Sequence, residues 1–207
     1  MCSSDLNDFF YAGPGISDLA ALLGHHREGF KRFAGVKIDS TYLLSRTRAA
    51  LENDRAALSE CGLGVIVDLR RDQMHFDRIA FYPHIPNYAA GMALFGQIVD
   101  KMRVLGATDL IARVYDSGDM RNDAKSVEQR DRTWVEFARQ AGEKGIRLHL
   151  VCDKGIRFSS AAALDSPNVL VIAGAKGAPS PYRLVLPSGS LGQGATMVHD
   201  SDGRAAP

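Results

Sequence analysis

The sequence predicts an alternating α/β protein with parallel strands, most of a (β/α) barrel. Two observations carry this. Short β-branched runs recur between segments whose apolar residues repeat every three to four positions. Glycines punctuate the helix-to-strand steps, at Gly62, Gly106 and Gly145, where a chain leaving a helix needs a left-handed residue.

The elements follow in order. A strand is expected at Val36 to Asp39 within FAGVKIDSTYLL. A helix from Ser45 to Cys61 then carries Ala50, Leu51, Ala57, Leu58 and Cys61 on one face. The run GVIVDL from Gly64 to Leu69 is apolar enough to be covered on both faces. A loop from Arg70 to Pro86 leads to a helix from Asn87 to Leu105 with Met92, Phe95, Val99 and Met102 as its stripe. DLIARVY, Asp109 to Tyr115, is the next strand. Ser126 and Gln129 have the spacing of a capping box. The helix they open turns Trp134, Phe137, Ala138 and Ala141 inward and gives way to a strand at Ile146 to Cys152. A short helix at Ala161 to Leu164, strands at Asn168 to Ala173 and Tyr182 to Leu186, and a short strand near Thr196 to Val198 complete the pattern. His25 and His26 lie on the solvated face of an amphipathic N-terminal helix.

Strand and helix in alternation imply right-handed crossovers between parallel strands. A doubly wound sheet wants a glycine-rich turn after its first strand, and STYLLSR after Asp39 has no glycine. A complete barrel takes about 250 residues. About six strands in 207 residues therefore point to an incomplete or irregular barrel over residues 7–191, with an irregular tail at 192–207. Residues 1–6, MCSSDL, fit no element. They resemble translated adaptor read-through of a metagenomic fragment and are expected to be artefactual or disordered.

Composition excludes some function classes. The chain has 25 basic and 24 acidic residues, a net charge of +1. It therefore lacks the electrostatic footprint of a nucleic-acid or anionic-membrane partner. Three cysteines without CxxC spacing support neither a disulfide framework nor a zinc site. No signal peptide is visible, so a cytoplasmic location is the default expectation.

The stretch from Tyr88 to Asp153, with DKMRVLGATDLIARVYD and WVEFARQAGEKGIRLHLVCD, resembles the xylose-isomerase-like TIM-barrel superfamily of sugar isomerases and epimerases. The resemblance implies a carbohydrate ligand. It also implies a divalent metal held by Glu, Asp and His at strand ends. The chain departs from that pattern. The matching strand ends in Asp153 rather than Glu, with Lys154 directly after it, and VYDSGD lacks a histidine-rich turn. The metal is thus left open.

In this architecture the reactive residues sit at the C-terminal ends of strands. Asp39, Asp68, Asp116 and Asp153 occupy such positions and are the candidate catalytic acids. Two of them could act as acid and base on a sugar, as paired carboxylates of a glycoside hydrolase, or as oxygen ligands for a cation. Asp also opens helices as a cap. Tyr42, Arg70, His75, His84 and Lys154 are candidate substrate-binding residues, with Arg46 and Arg71 beside them. Arg70, Arg71 and Lys154 would equally suit a phosphate ester. His149, out of phase with Leu148 and Leu150, points away from their face and reads as a hydrogen-bonded core residue. A non-catalytic sugar-binding or scaffold domain of a larger protein is the alternative.

Overall fold

The computed structural model describes residues 8–12, 16–69, 88–114, 124–152, 167–173, 183–186 and 197–199. The expected helix at Ala161 to Leu164 and the N-terminal hexapeptide lie outside them. The elements are β1 (Asp8–Ala12), α1 (Leu19–His25), α2 (Arg27–Phe30), β2 (Gly35–Asp39), α3 (Ser40–Ser45), α4 (Arg48–Glu60) and β3 (Gly64–Leu69). They continue with α5 (Tyr88–Leu105), β4 (Asp109–Val114), α6 (Ala124–Glu143), β5 (Arg147–Cys152), β6 (Val169–Ala173), β7 (Arg183–Leu186) and β8 (Met197–His199). No helix among the described residues is long and apolar enough to cross a membrane.

The chain forms two compact units. The first comprises Met1–Val67, Val104–Ala107 and Pro179–Pro207. Its strand order is β3-β2-β1-β7-β8. β1 runs parallel to β2, with Phe10 opposite Val36, and parallel to β7, with Phe9 opposite Leu184. β8 is antiparallel to β7, which is the irregular element of an otherwise parallel array. Phe10 meets Phe30 edge to face at 4.9 Å, and Phe33 lies 5.7 Å from it. These aromatic contacts seal the end of α2 onto β1.

The second unit comprises Asp68–Arg103 and Thr108–Ala178. Here β4, β5 and β6 run parallel in that order. Leu110, Ala112, Val114, Leu148, Leu150 and Cys152 all point to one face, and all are buried. α5 and α6 supply the cover: Phe95 stacks on Phe137 at 4.0 Å, and Trp134 meets Phe137 edge-on at 5.5 Å.

The glycine stops behave as expected. Gly62, Gly106 and Gly145 have φ of 67°, 85° and 72°. After α4, the Leu63 N–H donates to Leu58 O at 2.9 Å and the Gly62 N–H to Ser59 O at 3.0 Å. After α6, Ile146 N–H donates to Ala141 O at 2.9 Å and Gly145 N–H to Gly142 O at 2.9 Å. Both are Schellman endings, with a buried residue (Leu63, Ile146) anchoring the exit into a strand.

Three sequence expectations change. β1 was not anticipated: five residues, DFFYA, are too few to show a period. The helix expected at Ser45 to Cys61 is α4, starting at Arg48, and an unanticipated short helix, α3, precedes it directly after β2, the two parted at Arg46 and Thr47. The reason is a double cap: Asp39 accepts the Tyr42 N–H, and Thr47 accepts the Ala50 N–H at 3.2 Å. Lastly, α6 begins at Ala124, so Ser126 is a buried residue of its first turn rather than the cap of a capping box.

A Cβ at Gly145 would meet nothing within 4 Å, so only the backbone resists substitution there. Gly145→Ala is expected to lower stability by about 1 kcal/mol, from the left-handed conformation alone, and Gly145→Asn by less. Urea midpoints of the two variants test this; equal stability of Gly145→Ala and the parent would contradict it.

Candidate functional site

Asp39 and Asp68 are the two predicted acids among the described residues. Both stand at the C-terminal ends of strands, Asp39 as the last residue of β2 in the first unit and Asp68 as the penultimate residue of β3 in the second. Their surroundings differ. Asp39 is 1% exposed, and its Oδ1 accepts the Tyr42 N–H at 3.0 Å as the cap of α3. Asp68 is half-buried and out of phase with its buried neighbours Val67 and Leu69. Asp116, Asp153, Arg70, Arg71, His75, His84 and Lys154 lie outside the described residues.

Tyr42 and Arg46 belong to a network that joins three helices of the first unit. Its centre is Asp54, fully buried in α4. Asp54 Oδ2 accepts the Tyr42 hydroxyl at 2.8 Å, and Oδ1 accepts the Ala20 N–H at 3.1 Å. The Tyr42 oxygen accepts the Leu19 N–H at 3.0 Å, and Asp18 takes the Ala21 N–H at 2.9 Å. Three amide donors at the start of α1 are thereby satisfied. Arg46 donates to Ser17 O at 2.7 Å and places its Nε 3.5 Å from Asp54 Oδ2. Its guanidinium lies 5.4 Å from the centre of the Tyr42 ring. Burial, reinforced by the hydrogen bond to Asp54, pushes the Tyr42 phenol well above its ordinary range. These bonds make the pair part of the framework that holds α1, α3 and α4.

The second unit holds a polar cluster that the sequence reading identified only through His149. Asp109 opens β4 and stands opposite Arg147, which opens β5; Ile111 stands opposite His149. His149 Nε2 is 2.8 Å from Asp109 Oδ1, and both residues are 6% exposed. An ionised carboxylate only accepts, so His149 presents Nε2–H to it. Asp109 Oδ2 accepts the Thr108 hydroxyl at 2.7 Å and Arg147 at 2.8 Å. Burial pushes the Asp109 carboxyl up, but the bonds from His149, Thr108 and Arg147 outweigh it and hold the group well below the usual carboxylate range. The cluster sits at the N-terminal ends of its strands, where a barrel carries stability rather than chemistry.

Arg113 is a strand-end cation that the sequence reading passed over. It is the penultimate residue of β4, exposed within a strand otherwise buried. The signal was present in the alternation of DLIARV, where Leu110, Ala112 and Val114 take the covered face. Among the described residues no three His, Cys, Asp or Glu side chains converge to hold a metal ion. A groove of about 260 Å³ between α1 and α4, lined by Leu23, Gly24, Arg27, Ala57, Glu60 and Cys61, contains none of the strand-end residues.

Two outcomes follow from these networks. Tyr42→Phe strips a bond from buried Asp54 and leaves the Leu19 N–H unsatisfied, so a loss of about 1–3 kcal/mol is expected in urea unfolding. Asp109, with its folded pKa depressed, stabilises fully above the ordinary carboxylate pKa of about 4. That contribution is lost as pH falls from there toward the folded value. Asp109→Asn should cost about 2 kcal/mol at neutral pH, because charge-assisted bonds become neutral ones. Its stability should also fall less steeply than the parent's below pH 4; parallel acid limbs would rule the assignment out.

No family model and no curated protein matches the chain. Solved structures do. D-psicose 3-epimerase from Clostridium cellulolyticum H10, crystallised with D-tagatose, matches at TM-score 0.62 and 14% identity over 81% of this chain and 63% of its own. A xylose isomerase domain protein from Alicyclobacillus acidocaldarius matches at TM-score 0.54 and 18% identity, over 80% of this chain and 62% of its own. The 3-keto-D-glucoside 4-epimerase of E. coli matches at 0.56 and 13%, over 81% and 67%. The chain thus spans about 63% of the length of the epimerase it resembles. Its fold is that of the xylose-isomerase-like TIM barrels.

Proposed function

We propose that the chain is a sugar isomerase- or epimerase-like barrel that binds a carbohydrate at the C-terminal ends of its strands. The single observation that carries this is the position of Asp68. It is the penultimate residue of β3, is half-buried, and lies out of phase with its buried neighbours Val67 and Leu69. The solved barrels of this fold include enzymes that epimerise or isomerise sugars, which supports the same reading.

The chemistry asked of the site is proton transfer at the carbon beside a sugar carbonyl. A carboxylate takes that proton, an enediol forms, and an acid returns a proton to the neighbouring carbon or to the opposite face. In this proposal Asp68 is one of the two acids. Asp153 and Asp116, directly after β5 and two residues after β4 in sequence, are the candidates for the other. Asp39 is the poorest of the four for this role, because one of its oxygens already caps α3. The substrate contacts proposed for Arg70, His75, His84 and Lys154 belong to the same end of the chain's strands by sequence. Tyr42 is better accounted for by its bond to Asp54. The described residues do not by themselves make up a divalent-metal site, and no step is assigned to a metal.

A second reading, a sugar-binding domain without catalysis, is favoured by the framework roles of Asp39 and Tyr42. The two readings separate in heavy water. With D-fructose or D-tagatose and added Mg²⁺ or Mn²⁺, an epimerase-like site should place deuterium on carbon beside the carbonyl, read by NMR. Asp68→Asn should slow that exchange by about 100-fold or more while leaving the fold intact. Sugar binding without exchange would assign the chain to the binding class; neither binding nor exchange would end the carbohydrate reading.

A further inference from the structure

Two connections leave the sheet of the first unit at the same end. β1 and β2 are parallel neighbours. Ser17 and Asp18 lie in the connection from β1 to α1, and α3 begins directly after β2. That end of a parallel βα array is the one at which ligands bind. Side chains tie the two connections together. The Leu19 N–H donates to the Tyr42 hydroxyl oxygen at 3.0 Å, and the Ala20 N–H to Asp54 Oδ1 at 3.1 Å. Arg46, between α3 and α4, donates to Ser17 O at 2.7 Å and stands 3.7 Å from Asp18 Oδ2.

Asp54 stands behind each of these ties. It takes the Ala20 N–H itself, accepts the Tyr42 hydroxyl at 2.8 Å, and lies 3.5 Å from Arg46 Nε. It reaches them from the buried stripe of α4. Burying a carboxylate there is a poor way to gain stability, because well-packed apolar residues of like volume serve as well. What directional bonds add is a single placement of the segments they join. Ser17 and Asp18 are exposed and Thr41 of α3 is half-buried, so both connections keep a surface that a ligand can meet.

We propose that Asp54 is a positioning residue for sugar binding: through Tyr42, Ala20 and Arg46 it holds the connection after β1 against the one after β2, and so sets the affinity of that end of the sheet. The inference rests on the carbohydrate reading above and deepens it. Asp54 is fully buried and touches no ligand. It acts by keeping two binding segments in one relative placement before the sugar arrives, which spares the ligand the cost of ordering them. It takes no part in proton transfer, so its loss weakens binding and leaves the rate of the bound complex alone.

The test is the affinity of the full chain for D-tagatose, by calorimetry with added Mn²⁺, at a temperature where every variant compared is folded. Asp54→Ala removes both acceptors. Misplacement of a binding segment by a fraction of an ångström sets the expected loss, about 10-fold in affinity. Asp54→Asn keeps one acceptor oxygen and should recover part of it. Arg46→Gln breaks the tie to Ser17 and leaves the Tyr42–Asp54 bond in place; it should weaken binding in the same direction and serves if Asp54→Ala fails to fold. Arg48→Gln, on the exposed side of α4, controls for a changed charge and should resemble the parent. Where the parent also exchanges deuterium, KM should rise in Asp54→Ala with kcat unchanged.

Folded variants that bind D-tagatose as tightly as the parent overturn the proposal and leave Asp54 a purely structural residue. So does an equal loss in Arg48→Gln, or a fall in kcat with KM unchanged. In each of these cases the parent still binds sugar, so the carbohydrate reading stands and this inference alone falls. A parent that binds no sugar ends both.

Discussion

Everything in the second unit depends on which face of its parallel strands the helices cover. Six consecutive inward positions on β4 and β5 are filled by Leu, Ala, Val and Cys, all buried. Because a strand's side chains alternate, a slip of one residue would exchange every one of them for Asp109, Ile111, Arg113, Arg147, His149 and Val151. Burying four ionisable groups under α5 and α6 in that way would cost far more than any gain in pairing. The apolar face therefore locks the register, and the locked register decides which polar groups stand in rows on the other side. The site is a consequence of the core rather than an addition to it.

The same logic explains why polar residues at the two ends of those strands have different fates. At the N-terminal end, Asp109 is enclosed and must be satisfied. It takes three bonds, from His149, Thr108 and Arg147. A carboxylate so engaged, with its pKa held low, is poorly disposed to accept a proton. At the C-terminal end Arg113 and Asp68 keep access to water. Groups that exchange protons or meet ligands need such access, whereas the enclosed Asp109 cluster contributes to stability.

The fold was largely legible in the sequence. GVIVDL, the Gly62 and Gly145 stops and the Trp134–Ala141 stripe each express one strong local rule, and each is found where the rule puts it. What escaped was set by contacts between distant segments. β1 holds its place through pairing with β2 and β7 and through Phe30 and Phe33, none of which a five-residue window reveals. The break between α3 and α4 depends on two caps only three residues long. Asp54 is the plainest case. It lies between Leu51 and Leu58 on the buried stripe of α4, where the helical period asks for an apolar residue. Only the fold shows that it caps α1 from another helix.

Strand ends can be read from strands, and Asp39 and Asp68 stand at the C-terminal ends of β2 and β3 as the sequence places them. What strand ends cannot show is whether a given Asp is already spent. Asp39 is the last residue of β2 and Asp68 the penultimate residue of β3, and the helix α3 begins directly after Asp39. A helix that starts at once needs a cap, and the last strand residue is the one in place to provide it. A helix that begins directly after a strand thus turns the strand-end acid into its cap.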